Sequence, residues 1–362
     1  MKTYKIQLTF IGIAILTTLF RLISSYYPNW IDTYYSKGVN HEFIQQYSRL
    51  TSLFPFSLFE LLIYTAILAL GGTLIFYTIQ LIRHPKEWIP TLTSCLLNLL
   101  AAFSIGYTIF ILFWGLNYDR PSLESDFSIA TEAHPTSDLI KLYETLINEV
   151  NMARSHTQEN EQGVFMANGN YRDIFKRASI GYEEAAKSYP VLGGTYGLAK
   201  PILASELMNY TNITGIYSPF TAEANVNIAV PDSTLLFTTM HEMAHQRGYA
   251  SENEANFIAF ITCIHHTEAD FIYAGYLSAL NYTNVALAKV DRETLIQLNE
   301  RLDEGVRRDM QYLNEFWTQY EGKIEETFNS MNQTYLTLNG VSDGVQSYGR
   351  VVDLLLAYYE NN

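Results

Sequence analysis

Three long runs of apolar residues occupy the first third of the chain, at residues 6–24, 58–82 and 89–115. A helix needs about 20 apolar residues to cross the hydrocarbon core of a bilayer, and the second and third runs reach that length. The first run is as short as a signal peptide, but the SSYYPNW that follows lacks small residues at cleavage spacing. Because backbone polar groups inside a bilayer must be satisfied within one segment, the pattern predicts three transmembrane helices.

The charges beside these helices predict their orientation. Four basic residues lie before the first predicted helix and in the turn between the second and the third: Lys2, Lys5, Arg83 and Lys86. Short cytoplasmic flanks carry an excess of Lys and Arg, so the loop 24–57 and the chain after about residue 116 are expected outside. Three aromatic residues suit the membrane interfaces: Trp88, Trp114 and Tyr118. Glu60, at one end of the second apolar run, is also expected at a membrane interface.

The pattern changes after residue 118, which divides the chain into an anchor (1–118) and a second domain (119–362). After a linker at 119–135, apolar positions recur at helical spacing in several segments. The predicted helices are 136–155, 171–188, 232–247, 252–290, 291–320, 323–337 and 346–360. Residues 223–230 alternate instead, with apolar side chains at every second position, which is the period of a half-buried strand. We expect a mostly α domain with a small sheet.

Charge separates the same two parts. Residues 1–118 carry seven Lys/Arg against four Asp/Glu, and the remainder carries 16 against 33, for a net charge of −14 overall. An acidic rear repels nucleic acid and anionic membrane surfaces, so neither is expected as its partner. The two cysteines, Cys95 and Cys263, form no disulfide pattern and are expected to be free thiols.

The segment HEMAH carries the clearest chemistry. His241 and His245 are one helical turn apart, so their rings project from one face and can hold one metal ion. Glu242 lies one step round the helix, where it can act as general base on a metal-bound water. The segment is too polar to span a membrane, so the site belongs to the second domain. The composition of this motif predicts a zinc site, although another divalent ion would satisfy it.

A third ligand is expected just beyond Gly248, which ends the motif helix. Ser251 and Glu254 fit a capping box, which turns Glu254 back to the helix start and leaves Glu252 facing the histidines. Glu252 is therefore the favoured ligand, with Glu254 as the alternative. Asn256, four residues further on, shares its face and is expected to hydrogen-bond a ligating imidazole.

The stretches HEMAHQRG and ENEANF resemble the gluzincin clan of zinc metallopeptidases, whose Glu-x-x-Ala-Asp/Asn signature begins with a zinc-binding glutamate. That resemblance implies Glu252 as ligand. Only six residues separate His245 from Glu252, however, where many gluzincins have a longer insertion. The whole chain also resembles a family of uncharacterised bacterial membrane proteins with an N-terminal anchor and a zincin-like domain. The matching stretches are ITGIYSPFTAEANVN (213–227), HEMAHQRGYASENEANFIAF (241–260) and GVQSYGRVVDLLLAYY (344–359).

In zincins an edge strand beside the site pairs with an extended peptide, so strand 223–230 is expected there, with Asn225 and Asn227 meeting substrate. The alternative is that these two residues are only the exposed face of the strand. Tyr348 is the favoured donor to the oxyanion that hydrolysis creates; the alternatives are Arg350, His266 and Tyr249. His265 and His266 are otherwise expected at the surface.

The sequence as a whole predicts a multi-pass membrane zinc metallopeptidase with its catalytic domain on the extracytoplasmic side. Two alternatives stay open. One is an inactive zincin-like binding protein, and the other is a zinc hydrolase of a non-peptide amide in the cell envelope. The sequence gives neither a substrate nor an oligomeric state.

Overall fold

A computed structural model describes residues 4–131, 134–338 and 350–361, and the chain is mostly helical. Three of the described helices are long and apolar enough to cross a membrane: α1 (Lys5–Ser24), α4 (Leu58–Arg83) and α5 (Trp88–Phe113). The last two form a hairpin through a 3-10 turn at Pro85–Glu87. The prediction of three apolar helices in this part of the chain is confirmed.

The loop expected at 24–57 is also largely helical. It contains α2 (Pro28–Trp30), a π-helix (Ile31–Val39) and α3 (Asn40–Thr51). Tyr35 and Asn40 donate hydrogen bonds to the carbonyls of Leu112 and Phe113, at 2.9 Å each. The last carbonyls of a helix have no partner within that helix. These two hydrogen bonds supply partners for the end of α5 and hold the helical segment beside it. The prediction of a loop missed these tertiary bonds.

Polar side chains tie α1, α4 and α5 together. The amide of Gln7 donates to Asn98 on α5 at 2.7 Å, and Asn98 donates to Tyr77 on α4 at 2.6 Å. Thr18 on α1 donates to Tyr107 on α5 at 3.0 Å. Hydrogen bonds of this kind join helices in a bilayer, where lipid supplies no partner for a polar group.

The other helices belong to the rear of the chain, where a break at 265–268 divides the predicted helix 252–290 and a second at 300–303 divides 291–320. They are α6 (Glu124–Phe127), α7 (Thr136–Arg154), α8 (Tyr171–Ala185), α9 (Ser205–Asn209), α10 (Asp232–Gln246), α11 (Glu252–Ile264), α12 (Ala269–Val290), α13 (Arg292–Asn299), α14 (Glu304–Thr318), α15 (Lys323–Leu338) and α16 (Val351–Asn361). Short 3-10 turns lie at Gly115–Asp119 and Pro190–Leu192. One hydrophobic core joins most of these helices.

Two small sheets accompany the helices. The strands β1 (Gln158–Glu159) and β2 (Phe165–Met166) form a hairpin, and β3 (Lys200–Ile202), β4 (Gly215–Ser218) and β5 (Glu223–Asn227) form a sheet of order β3–β5–β4. The β5 strand is parallel to β3 and antiparallel to β4. The expected edge strand at 223–230 is therefore wrong: β5 is the central strand, paired on one edge with β3 and on the other with β4, and it is buried at every position.

The sheet is joined directly to the start of α4. The carboxylate of Glu223 accepts the backbone N–H groups of Leu58 and Phe59 at 3.3 and 3.0 Å. Ser57, which caps α4, donates to Asn225 at 2.6 Å. A helix N-terminus has unpaired N–H groups and favours a negative charge. These bonds cross the domain boundary that the sequence predicts at residue 118.

Candidate metal centre

The motif helix α10 is followed by a tight reversal that brings α11 back toward it. Gly248 has φ +89°, a left-handed conformation that favours glycine, and its N–H donates to the carbonyl of His245 at 2.8 Å. The chain then enters α11 at Glu252. The Ser251 side chain makes no capping bond there, so the expected capping box is absent. The turn nevertheless places the first residue of α11 against the histidines.

The ligand atoms of His241, His245 and Glu252 lie within 4.8 Å of one another. The Nε2 atom of His241 is 3.2 Å from one Glu252 oxygen, and that of His245 is 3.7 Å from the other. Glu254, the alternative, points elsewhere and accepts the backbone N–H of Leu123 at 2.8 Å. Two imidazoles and one carboxylate therefore converge on a common point.

The opposite nitrogen of each ring is held by another acceptor. The Nδ1 atom of His241 lies 2.8 Å from Asn256 Oδ1, as expected, and that of His245 lies 2.6 Å from the carbonyl oxygen of Tyr249. Both partners accept, so both Nδ1 atoms carry the proton. This fixes the tautomer in which Nε2 presents its lone pair to the common point.

These residues fit a tetrahedral divalent ion. Bonds of 2.0–2.1 Å in that geometry set neighbouring ligand atoms roughly 3.3 Å apart, close to the two separations between histidine nitrogens and Glu252. Burial alone would lower the pKa of His245, but the Glu252 carboxylate outweighs it and raises that pKa to about 9. The two histidines in turn hold the pKa of Glu252 well below its usual range, against its burial. A cation that binds here would displace the Nε2 proton of His245, and the cluster would then supply one negative charge and two neutral nitrogen donors.

Glu242 lies beside this cluster in a buried environment. Its side chain is 4 % exposed, and its Oε2 atom has no hydrogen-bond partner among the described residues. Burial raises the pKa of this carboxyl to about 7, although the neighbouring histidines act in the opposite direction. A carboxyl with such a pKa exchanges protons readily at neutral pH. An orphaned oxygen at a buried site marks the place for a group from outside the chain.

The edge strand beside Glu242 is β4. A Cβ atom added at Gly215, the first residue of β4, would overlap the Glu242 carboxylate. The backbone of Tyr217, two residues on, favours the charged form of the same group. The sequence missed this strand because Gly215–Ser218 is too short for a clear alternating pattern, while its neighbour 223–230 alternates over eight residues.

Three aromatic residues that surround the cluster were not predicted to be part of the site. Trp114, the residue after α5, packs between Tyr217 and His245, with ring centroids 4.7 and 5.8 Å away. It is only 5 % exposed, so its expected place at a lipid interface is wrong. The hydroxyls of Tyr118 and Tyr335 are 2.9 Å apart, and the charge of Glu252 is among the causes that raise both pKa values, after burial.

Several predicted site residues lie away from the cluster. Asn225 and Asn227 are 0 % exposed and bond to Ser57 and Asn209, so they face protein groups rather than a cleft. His266 is buried and stacks on Phe271, which corrects its expected surface position.

The proposed oxyanion donors are also placed elsewhere or undescribed. The Tyr249 hydroxyl donates to Asp126 at 3.2 Å. Arg350 directly precedes α16, and its carbonyl accepts the backbone N–H of Asp353 at 3.1 Å. Tyr348 lies outside the described residues.

Three apolar helices and a buried cluster of His, His and Glu define a membrane-associated, mostly helical protein with a candidate metal centre. The chain belongs to the family described as "Protein of unknown function (DUF3810)", whose model matches residues 35–356. That match spans α4, α5, the sheet and the whole cluster. No curated protein and no solved structure matches the chain.

Proposed function

We propose that the protein is a membrane-bound zinc metallopeptidase of gluzincin type, with His241, His245 and Glu252 as ligands and Glu242 as general base. One observation carries the proposal. The two Nε2 atoms converge on Glu252, and the unpartnered Oε2 of buried Glu242 lies beside them. A merely structural metal site is usually closed by a fourth protein ligand, and the described residues offer three.

Zinc held by these three side chains would act as a Lewis acid and lower the pKa of a bound water to near 7. Glu242 accepts the proton of the attacking water and passes it to the departing amine. Burial keeps the pKa of Glu242 near 7, which matches both transfers. Asn256 and the Tyr249 carbonyl hold the two imidazoles in the required tautomer.

Substrate binding is assigned to β4 and Tyr118. β4 is the last strand of the sheet and pairs only with β5 among the described strands, so its other edge, beside Glu242, is the one to which we assign an extended peptide. Tyr118 lies close enough to Glu252 for that charge to influence its pKa. Its hydroxyl is therefore the candidate donor to the oxyanion that forms at the peptide carbonyl.

The site is assigned to the extracytoplasmic side. Arg21, near the end of α1, pairs with Asp119 beyond α5 at 3.0 Å, so these two ends lie on one side. The basic residues Lys5, Arg83 and Lys86 lie at the opposite ends. Because short cytoplasmic flanks are enriched in Lys and Arg, the metal cluster is outside.

The test uses the full-length protein in lipid nanodiscs, with metal content measured by elemental analysis and hydrolysis measured on a peptide library. We expect one zinc ion per chain, lost in His245→Ala. Glu242→Gln should keep the zinc and lose hydrolysis by a factor of about 10² or more.

Glu254→Gln is the matched control, since Glu254 is a buried carboxyl on the same turn that contacts Leu123 instead. It should keep both zinc and activity. Full turnover in Glu242→Gln would remove the mechanism. Zinc binding without hydrolysis of any peptide in the wild type would favour the binding protein or the envelope amidase.

A further inference from the structure

The helix α15 carries a row of exposed apolar side chains. Ile324, Phe328, Met331 and Tyr335 are spaced by four, three and four residues, so they share one face. Their exposed fractions are 56 %, 37 %, 59 % and 40 %. Exposed apolar area costs about 25 cal/mol per Å² relative to burial. A continuous row of this kind marks a binding surface rather than scattered surface residues.

The C-terminal half of α15 is fixed near the end of α5. The Tyr335 ring packs edge-on against Phe110 of α5, with centroids 6.4 Å apart. Its hydroxyl bonds to Tyr118, which follows α5 by five residues. Since Tyr335 belongs to the apolar row, the row faces the side on which α5 lies.

The N-terminal half is fixed near the start of α4. Tyr320 precedes α15 and packs edge-on against Tyr210, with centroids 5.0 Å apart. Tyr210 directly follows α9, and just before α9 the backbone N–H of Leu203 donates to Glu60 in the first turn of α4 at 2.8 Å. The start of α4 and the end of α5 lie on the same side of a bilayer, because the two helices form one hairpin.

We propose that α15 lies in the interface of the bilayer that α4 and α5 cross, with its apolar row between the lipid headgroups and acyl chains. Both ends of the helix are tied at the level where these two helices emerge. Its 16 residues therefore run along the membrane surface for about 24 Å. Leu203, whose backbone N–H bonds to Glu60 of α4, and Leu207 on α9 are also exposed, at 79 % and 71 %.

The chemistry of this surface specifies its partner. The first turns of α15 carry Lys323, Glu325 and Glu326, and the rear of the chain is acidic overall. Anionic lipid is therefore not attracted by charge. Contact depends on apolar area and suits zwitterionic lipid, with the row buried about 5–10 Å below the headgroups.

Tyr335 belongs to the row and packs against Tyr118, which packs against Trp114 beside His245, so the proposal sets the metal cluster close to the membrane surface. If the proposed function holds, on which this consequence rests, the substrate is a polypeptide cleaved close to the bilayer. A peptide with a fatty acyl anchor should then have a lower KM than the same peptide without one. The position of α15 itself is measured without any activity.

The test labels single cysteines with a nitroxide in the full chain, in phosphatidylcholine nanodiscs, after Cys95 and Cys263 are replaced by alanine. One label replaces Phe328 in the row, and the control replaces Ser330, which lies on the opposite face. We expect the label at 328 to be relaxed by oxygen, which concentrates in lipid, and the label at 330 by a water-soluble nickel complex. Equal access of the nickel complex to both labels would overturn the proposal.

A label at 328 that neither reagent reaches would also overturn it, since it would indicate a protein partner such as a second copy. The double variant F328D/M331D supplies an independent measurement. Its α15 amides should exchange with deuterium faster in nanodiscs, while S330D leaves them unchanged. Unchanged exchange in the double variant would contradict membrane contact.

Discussion

The indole of Trp114 packs edge-on against the imidazole of His245, with ring centroids 5.8 Å apart and planes at 82°. Trp114 is the first residue after α5, and His245 belongs to the candidate metal cluster. The end of the apolar helix α5 therefore forms one wall of the cluster. This contact links the anchor to the site physically, and it leads to the first prediction.

Trp114→Ala should weaken zinc binding several-fold, because the His245 ring loses the surface that fixes its orientation. Zinc affinity is measured by competition with a chelator in nanodiscs. Trp88→Ala is the matched control, since Trp88 is 55 % exposed at the other end of α5. Equal affinity in both variants would show that the indole does not position the ligand.

Asn256→Ala should lower zinc affinity about 10- to 100-fold, the usual effect of losing an outer partner of a ligating histidine. The amide oxygen accepts from His241 at 2.8 Å. Asn256→Asp keeps an acceptor at this position and should retain most of the affinity. A loss of equal size in both variants would indicate a packing role instead.

Gly215→Ala should reduce peptide hydrolysis strongly while zinc is retained. An added Cβ would overlap the Glu242 carboxylate and displace it from the cluster. Hydrolysis and metal content are measured on the same preparation. The control is Gly72→Ala in α4, where an added Cβ meets no atom within 4 Å. Unchanged hydrolysis in Gly215→Ala would place the general base elsewhere.

The isolated fragment 119–362 should be less stable than the full chain. In the fragment Glu223 and Asn225 lose the backbone and hydroxyl donors at the start of α4, and such hydrogen bonds contribute about 0.5–1.5 kcal/mol each, or about 1.5–3 kcal/mol for a charged acceptor. Thermal unfolding of the fragment is compared with that of the full chain carrying Glu87→Gln, an exposed carboxyl in the turn between α4 and α5. A fragment with the unfolding temperature of the full chain would support the domain boundary at residue 118.

The features that depend on local patterns could be predicted from the order of the amino acids. The three apolar helices follow from their length and composition, and most helices of the rear follow from apolar spacing. The motif His241, Glu242 and His245, the turn at Gly248 and the return of Glu252 span only a dozen residues. Local geometry is sufficient to bring these side chains together.

The distant residues that surround the cluster could be identified only from the folded chain. Trp114, Tyr118, Tyr335 and β4 reach it from segments more than 20 residues away, and no local pattern encodes such contacts. The same applies to Asn225, which looked like an exposed position in an alternating strand. It is buried because Ser57, 168 residues earlier, supplies its hydrogen bond. An alternating pattern of apolar and polar residues indicates a strand with one covered face. The central strand β5, which packs at the start of α4, is instead covered on both faces.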